Sequence, residues 1–336
     1  MWVQRCQKIF FFRPYQAFCA LLTLIVLVLM VCFVISNYLH LMSLTKRCEW
    51  NGLEDTQQPL LMSTWKARHQ KHLIGRHQFD PKLHQAIRTQ VLIPPSDHSI
   101  PGVGYEIRIP ADSDPSLGQR QLMQKLFKNK RNGFFIECGA LDGIEGSNTL
   151  YMERHLGWTG LLIEADQIAV PDLVGTNRQS WMVPNCLSVS PQVSEVTFGT
   201  KYNYGRILHT EAGKTDNSMF SCNHHTVICY PIYAILAAVN QTKVDYFSLD
   251  VEGFELDILK TIPFDQVEIT ALSVEFTYIG NDAASGTLHE LEIFMADKGY
   301  KLRAKVLNGK NYANDYIYVK NGFNEDVHLE DVVTDM

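Results

Sequence analysis

A doubly wound α/β sheet is the architecture this sequence predicts, and two observations predict it. Between residues 114 and 320, short β-rich runs alternate with helical runs. That alternation marks a mostly parallel sheet covered on both faces. The second observation is "FFIECGALDGIEG", residues 134–146, which reads as a strand, an acid, a glycine turn and the approach to a helix. It is the first crossover of such a sheet, and ligands bind there beyond the carboxyl ends of the strands.

The chain before that domain is of another kind. Residues 17–35 run "AFCALLTLIVLVLMVCFVI" without a charge. At about 1.5 Å per residue such a helix spans a hydrocarbon core of roughly 30 Å. A cleaved signal would have a shorter apolar region and small residues at the cut, which "SNYLHLMS" does not supply. The expectation is a short cytoplasmic tail over 1–16 and an uncleaved signal anchor over 17–38, contacting the bilayer. Arg5, Lys8 and Arg13 precede the span, and Lys46 and Arg47 follow it among acids. This bias places the N-terminus inside and the large C-terminal part in a lumen or outside. Residues 39–113, punctuated by Pro81, Pro94, Pro95, Pro101 and Pro110, are expected to form a stem. Within it, Asp80 and Pro81 suit the start of a short helix.

The folded domain is expected over 114–320. Leu122, Met123, Leu126 and Phe127 make one helical stripe. Then come strand "FFIEC", helix "SNTLYMERHL", strand "GLLIEA", strand "WMVPNCLSV" and an appended strand "EVTFGT". After an irregular stretch from Lys201 to Thr226 follow helix "PIYAILAAV", strand "VDYFSLDV", helix "FELDILKTI", strand "ITALSVEF", helix "TLHELEIFMADKG", and strands "YKLRAKV" and "DYIYVK". The net charge is −6, and residues 321–336 hold five acids and no lysine or arginine. That end reads as a solvated, partly disordered tail. No basic face marks a nucleic-acid partner.

Asn240 to Thr242 is the only N-x-S/T sequon, beside a predicted strand, which marks Asn240 for glycosylation. Cys48, Cys138, Cys186, Cys222 and Cys229 follow the apolar span, where disulfides are permitted. Cys222 and Cys229 are close enough to pair, although sequence alone leaves the connectivity open. Zinc is not expected, since no C-x-x-C occurs and no histidine stands at ligand spacing from a cysteine.

The glycine turn excludes two ligand classes. Neither G-x-G-x-x-G nor a P-loop is present. The order is Glu137, Gly139, Gly143, with Asp142 between the glycines, so the turn offers carboxylates to a cation. S-adenosylmethionine fits that description, because it carries an ammonium and a sulfonium and no phosphate. Gly139 and Gly143 would let the backbone approach it, and Glu164, ending the next strand, would accept its ribose hydroxyls. In "LDVEGFELDIL", Asp250, Glu252 and Glu255 gather after a buried strand. Asp250 can take a proton from an acceptor hydroxyl or hold a divalent cation. Glu275 ends the neighbouring strand. Glu252 and Glu255 also suit the start of a helix, where the dipole favours acids.

Together these residues resemble the FkbM-type methyltransferase domain over roughly Gln119 to Lys320, and within it the Star-like single-pass membrane proteins of animals. The resemblance rests on "FFIECGALDGIEGSNTLYMERHLGWTGLLIEAD", "NCLSV", "VDYFSLDVEGFELDIL" and "DYIYV". It implies a Rossmann-like methyltransferase sheet with an antiparallel last strand. It implies an S-adenosylmethionine pocket at Glu137, Gly139, Asp142, Gly143, Asn148, Glu164, Asp166, Cys186, Leu187 and Asp250. Catalysis, an O-methyl transfer to a hydroxyl, would fall to Asp250, Glu252 and Glu275. The Star-like branch implies an alternative: a non-catalytic role in carrying membrane-bound growth-factor precursors from the endoplasmic reticulum to the Golgi, with such a precursor as cargo. The implied location is the endoplasmic reticulum or Golgi, or a late endosome or the plasma membrane, with the C-terminal domain luminal. Ala165 stands where the family pattern expects proline, and residues 201–220 match no substrate loop.

Overall fold

The computed structural model describes residues 70–201, 204–207, 223–276, 287–308 and 314–334. The anchor expected over 17–38 and the first part of the stem lie outside them. Among the described residues no helix is long and apolar enough to cross a membrane.

Helix α1 (Pro81–Gln90) starts as its sequence requires: Asp80 caps it by accepting the Lys82 amide at 2.9 Å. Helix α2 (Gln119–Leu126) follows, then β1 (Phe134–Cys138), α3 (Leu150–Leu156), β2 (Thr159–Ile163), α4 (Val170–Gly175) and β3 (Trp181–Val183). Four strands form a second sheet with α5 inserted after them: β4 (Cys186–Leu187), β5 (Ser194–Lys201), β6 (Tyr204–Ile207) and β7 (Asn223–Tyr230), then α5 (Ile232–Ala238). The main sheet resumes with β8 (Lys243–Leu249), α6 (Glu255–Thr261), β9 (Glu268–Glu275), α7 (Leu288–Asp297), β10 (Tyr300–Asn308), β11 (Asp315–Lys320) and β12 (Val332–Thr334).

The main sheet has eight strands in the order β12-β10-β11-β9-β8-β1-β2-β3. The run from β9 to β3 is parallel, and β11 enters antiparallel to both β9 and β10. The chain winds outward from β1 through β2 to β3, then returns to the other side of β1 as β8. The winding therefore reverses between β1 and β8, and a crevice opens beyond their carboxyl ends.

Side chains alternate between two apolar layers, as the period of a strand dictates. Ile136, Phe247 and Leu272 join the layer under α1, α5, α6 and α7. Phe135, Tyr246 and Ala271 join the layer under α2, α3 and α4. The stripe of Leu122, Met123, Leu126 and Phe127 is buried in that second layer.

Four expectations are corrected. The chain from Leu73 to Leu92, read as stem, buries Leu83, Ile87 and Val91 in the first layer, because α1 packs on α5. The acidic tail is not simply solvated: Val327 and Leu329 are buried and β12 pairs in parallel with β10. "WMVPNCLSV" is not one strand. Pro184, which has no amide to donate, separates β3 in the main sheet from β4 in the second. Strand β7 fills part of a stretch expected to be irregular.

Candidate functional site

The glycine turn after β1 is held from below. Glu137 is buried at 3% exposure and turns inward, accepting the Asn148 amide at 2.6 Å, the Ser147 hydroxyl at 2.9 Å and the Thr149 hydroxyl at 2.6 Å. Arg178, fully buried, lies 3.5 Å from the same carboxylate and donates to the Gly143 carbonyl at 3.0 Å and to Glu153 at 3.2 Å. Asp142 accepts the Ile144 and Glu145 amides, both at 2.8 Å, and so closes the turn on itself.

A cleft of about 430 Å³ opens at the carboxyl ends of β1 and β8. One end is apolar, lined by Ile163, Leu187, Phe198, Ile207 and Phe254. An adjoining space of about 410 Å³ is acidic, lined by Glu164, Asp166, Asp250 and Glu252 with Gly139 and Leu141. Gly139 makes the junction possible. A Cβ on it would lie 2.4 Å from the Asp250 carbonyl oxygen, and its φ of +83° is one that side chains avoid.

Glu164 is the buried acid at the cleft's mouth. Its Oε2 accepts the Leu141 amide at 2.7 Å and its Oε1 the Asp166 amide at 2.6 Å. Burial outweighs these donors and, with the Asp166 charge opposing ionisation, lifts its pKa to about 7. Asp166 accepts the Ile168 amide at 2.8 Å, and burial raises its pKa too.

A second group of acids lies below. Asp250 is half-buried, and burial followed by the nearby Glu137 charge resists its ionisation. Glu275, at the end of β9, is buried, and burial with the Asp250 charge drives its pKa well up. Glu255 accepts the Val251 amide at 2.9 Å and the Gly253 amide at 3.1 Å, which shapes the turn before α6. Burial raises Glu255 and Asp315 to pKa values of about 7. Glu252 takes a left-handed φ of 57° in that turn, a strained conformation of the kind concentrated at functional sites.

The structure thus gathers Gly139, Glu164, Asp166, Cys186, Leu187, Asp250 and Glu252 around the cleft. It does not bring Glu137 there, because the arginine and three donors claim its carboxylate. Gly143 is not there either: a Cβ on it would meet Leu173 on α4 at 2.7 Å, so it serves packing. Asp142 caps a turn. Asn148 lies behind it, donating to the Ser248 hydroxyl at 2.9 Å. Cys186 reaches the cleft as half of a disulfide with Cys229, its neighbour across β4 and β7. That replaces the Cys222–Cys229 pairing; Cys222 and Cys48 lie outside the described residues, and Cys138 is free and buried. Asn240 stands exposed in the turn between α5 and β8. Sequence reading missed Arg178, since one arginine in a run of polar residues gives no sign of burial. It also missed Phe198 and Ile207, which come from the second sheet.

No curated protein matches the chain. Solved structures similar to it include M. capricolum TrmK with S-adenosyl-homocysteine, at 11% identity over 60% of this chain and 69% of that one, with a TM-score of 0.32. The N-terminal domain of human METTL16 with the same compound shows 13% identity over 64% and 76%, with a TM-score of 0.33. Precorrin-6y C5,15-methyltransferase from Geobacter metallireducens shows 10% identity over 60% and 87%, also with a TM-score of 0.33. Residues 137–302, which run from the acid ending β1 into β10, match the family described as the methyltransferase FkbM domain. Over those residues the chain is similar to the methyltransferase FkbM domain.

Proposed function

We propose that this chain is a membrane-anchored, S-adenosylmethionine-dependent O-methyltransferase acting on a hydroxyl acceptor. The observation that carries the reading is the two-ended cleft at the reversal of the sheet: apolar at Leu187, Phe198 and Phe254, acidic at Glu164 and Asp250. Such a cleft suits an amphipathic, positively charged nucleoside. The apolar end would hold the adenine ring, and Glu164 would accept the ribose hydroxyls. Gly139, with no Cβ, leaves backbone room beside Asp250.

Held at Gly139, Glu164 and Asp166, S-adenosylmethionine would supply an activated methyl on a sulfonium, whose sulfur would keep the electron pair of the carbon–sulfur bond when the methyl passes to the acceptor oxygen. The acceptor proton must leave, and Asp250 would receive it. Burial, with the Glu137 charge, holds the Asp250 carboxyl at raised proton affinity, and the hydrogen bond from Glu275 opposes that rise. The rest of the acceleration comes from positioning, which the pinned glycine turn provides.

Binding of S-adenosylmethionine to the full-length chain in detergent tests the reading by calorimetry. Saturable heat is expected, weakened at least tenfold by Glu164→Ala. No heat at millimolar concentration sinks it.

The anchor over 17–38 and a luminal C-terminal domain belong to the same reading. The Cys186–Cys229 disulfide supports an oxidising compartment, and the exposed position of Asn240 suits glycosylation. A mobility shift on glycosidase treatment of protein from animal cells is the expected result; none would remove the luminal placement. The disulfide also favours a second reading, because an oxidising lumen lies apart from a cytosolic cofactor supply. In that reading the domain is a Star-like carrier that keeps the fold without the chemistry and escorts membrane-bound precursors. Recovery of such a cargo by a chain that binds no S-adenosylmethionine decides for it.

A further inference from the structure

We infer that Asp250, Glu255 and Glu275 form a site for one hard divalent cation in the floor of the cleft. One oxygen from each carboxylate lies within 4.8 Å of the others. Two oxygens on opposite sides of one ion stand twice the ion–oxygen distance apart, about 4.2 Å for magnesium and about 5 Å for calcium. The trio therefore spans the separation that one such ion bridges.

The three acids come from different places: the end of β8, the start of α6 and the end of β9. Glu275 is 6% exposed, and its Oε2 is buried with no hydrogen-bond partner. A buried carboxylate oxygen without a donor costs stability unless something positive meets it. A proton shared between Asp250 and Glu275 neutralises only one of the three carboxylates. Among the described residues no lysine, arginine or histidine pairs with these acids. Arg178 is committed to Glu137 and Glu153, and Lys260 to Asp257. Asp315 adds a fourth acid nearby, already held by Gln119 at 2.7 Å.

All donors are oxygen, which selects magnesium, manganese or calcium over zinc or copper. Glu255 is pre-set by the Val251 and Gly253 amides, so one ligand is rigid before the ion arrives. Asp250 alone of the trio lines the cleft. The ion's remaining positions would face that space and take water. Resting on the methyl-transfer reading, they would take the acceptor oxygen and ease its deprotonation.

The test uses the full-length chain in detergent, stripped with chelator, titrated with Mn²⁺ alone and read by loss of the free-ion paramagnetic signal and by melting temperature. One Mn²⁺ per chain is expected, with a rise in melting temperature. Glu275→Gln and Asp250→Asn should each weaken binding at least tenfold, while Asp257→Asn on the outside of α6 leaves it unchanged. Glu275→Gln without metal should melt no lower than the stripped native chain, which separates lost binding from lost folding. No uptake at millimolar Mn²⁺, or equal uptake by Glu275→Gln, overturns the site. Mn²⁺ uptake by a chain that binds no S-adenosylmethionine supports the cation site and removes the transfer reading; the converse removes the cation site alone.

Discussion

A Cβ built on Gly139 would stand 2.4 Å from the backbone carbonyl oxygen of Asp250. The two residues follow β1 and β8, the strands between which the sheet reverses, and the Asp250 amide donates to the Cys138 carbonyl at 3.1 Å. Neither backbone can retreat without breaking that bond. Gly139→Ala is therefore expected to destabilise the chain by about 2 kcal/mol or more, combining a left-handed φ with a backbone clash. Gly146→Ala, with φ of +68° but nothing within 4 Å, should cost only about 1 kcal/mol. Urea unfolding of both variants checks the difference, and equal losses would show that the close approach is not what Gly139 provides.

Arg178 is the cation that the glycine turn stands on. It is fully buried between Glu137 and Glu153 and bonds the Gly143 carbonyl, the Ser147 hydroxyl and the Thr149 hydroxyl. Arg178→Met leaves two buried carboxylates without their counter-charge, a loss on the order of 3–5 kcal/mol. Measured by denaturant midpoint, it should exceed the loss from Arg76→Met, whose partner Asp80 lies at the surface. A small loss would mean that hydroxyl and amide donors suffice for Glu137.

What the sequence revealed and what it hid divide along a physical line. Strands β1, β2, β8 and β9 were legible because both faces are buried, so their apolar runs are continuous. Glu164 and Asp250 were legible because each follows such a run, where a carboxylate needs a reason. Glu137 occupied the same kind of position and was misread. Which way an acid turns depends on a partner 41 positions away in Arg178, and no local pattern carries that. The second sheet was obscure for a similar reason. Its strand β7 joins β4 and β5 through long-range pairing, and the cleft wall at Phe198 and Ile207 depends on it.

The disulfide between Cys186 and Cys229 closes a loop with a sequence separation of 43 and ties β4 to β7 beside the cleft. Chain-entropy arguments give such a link about 4 kcal/mol through the unfolded state. The Cys186→Ser, Cys229→Ser double variant should melt clearly lower than the native chain. A reductant should lower the native chain's melting temperature toward that of the variant and leave the variant itself unmoved. If reductant lowers both equally, the effect belongs to another pair.

Glu164 should give the chain a pH dependence that a single substitution removes. Its carboxyl titrates at about 7 in the folded chain against an ordinary value of 4.5, with burial the main cause. Between those values the folded state keeps a proton that the unfolded state has released. Stability from this group is therefore complete below the ordinary value and declines as pH rises toward 7. Glu164→Gln does not titrate, so its stability should gain on the native chain's between pH 5 and 7.5, and the difference curve isolates the group from its neighbour Asp166. Ligand binding should run the opposite way. A ribose whose hydroxyls donate to Glu164 needs the ionised form, so S-adenosylmethionine affinity should rise about tenfold per unit as pH climbs toward 7, then level off. Isotherms at four pH values on both proteins check this. A native-chain affinity that is flat with pH, or a slope that persists in Glu164→Gln, would show that the ligand's hydroxyls are held by something other than this carboxylate.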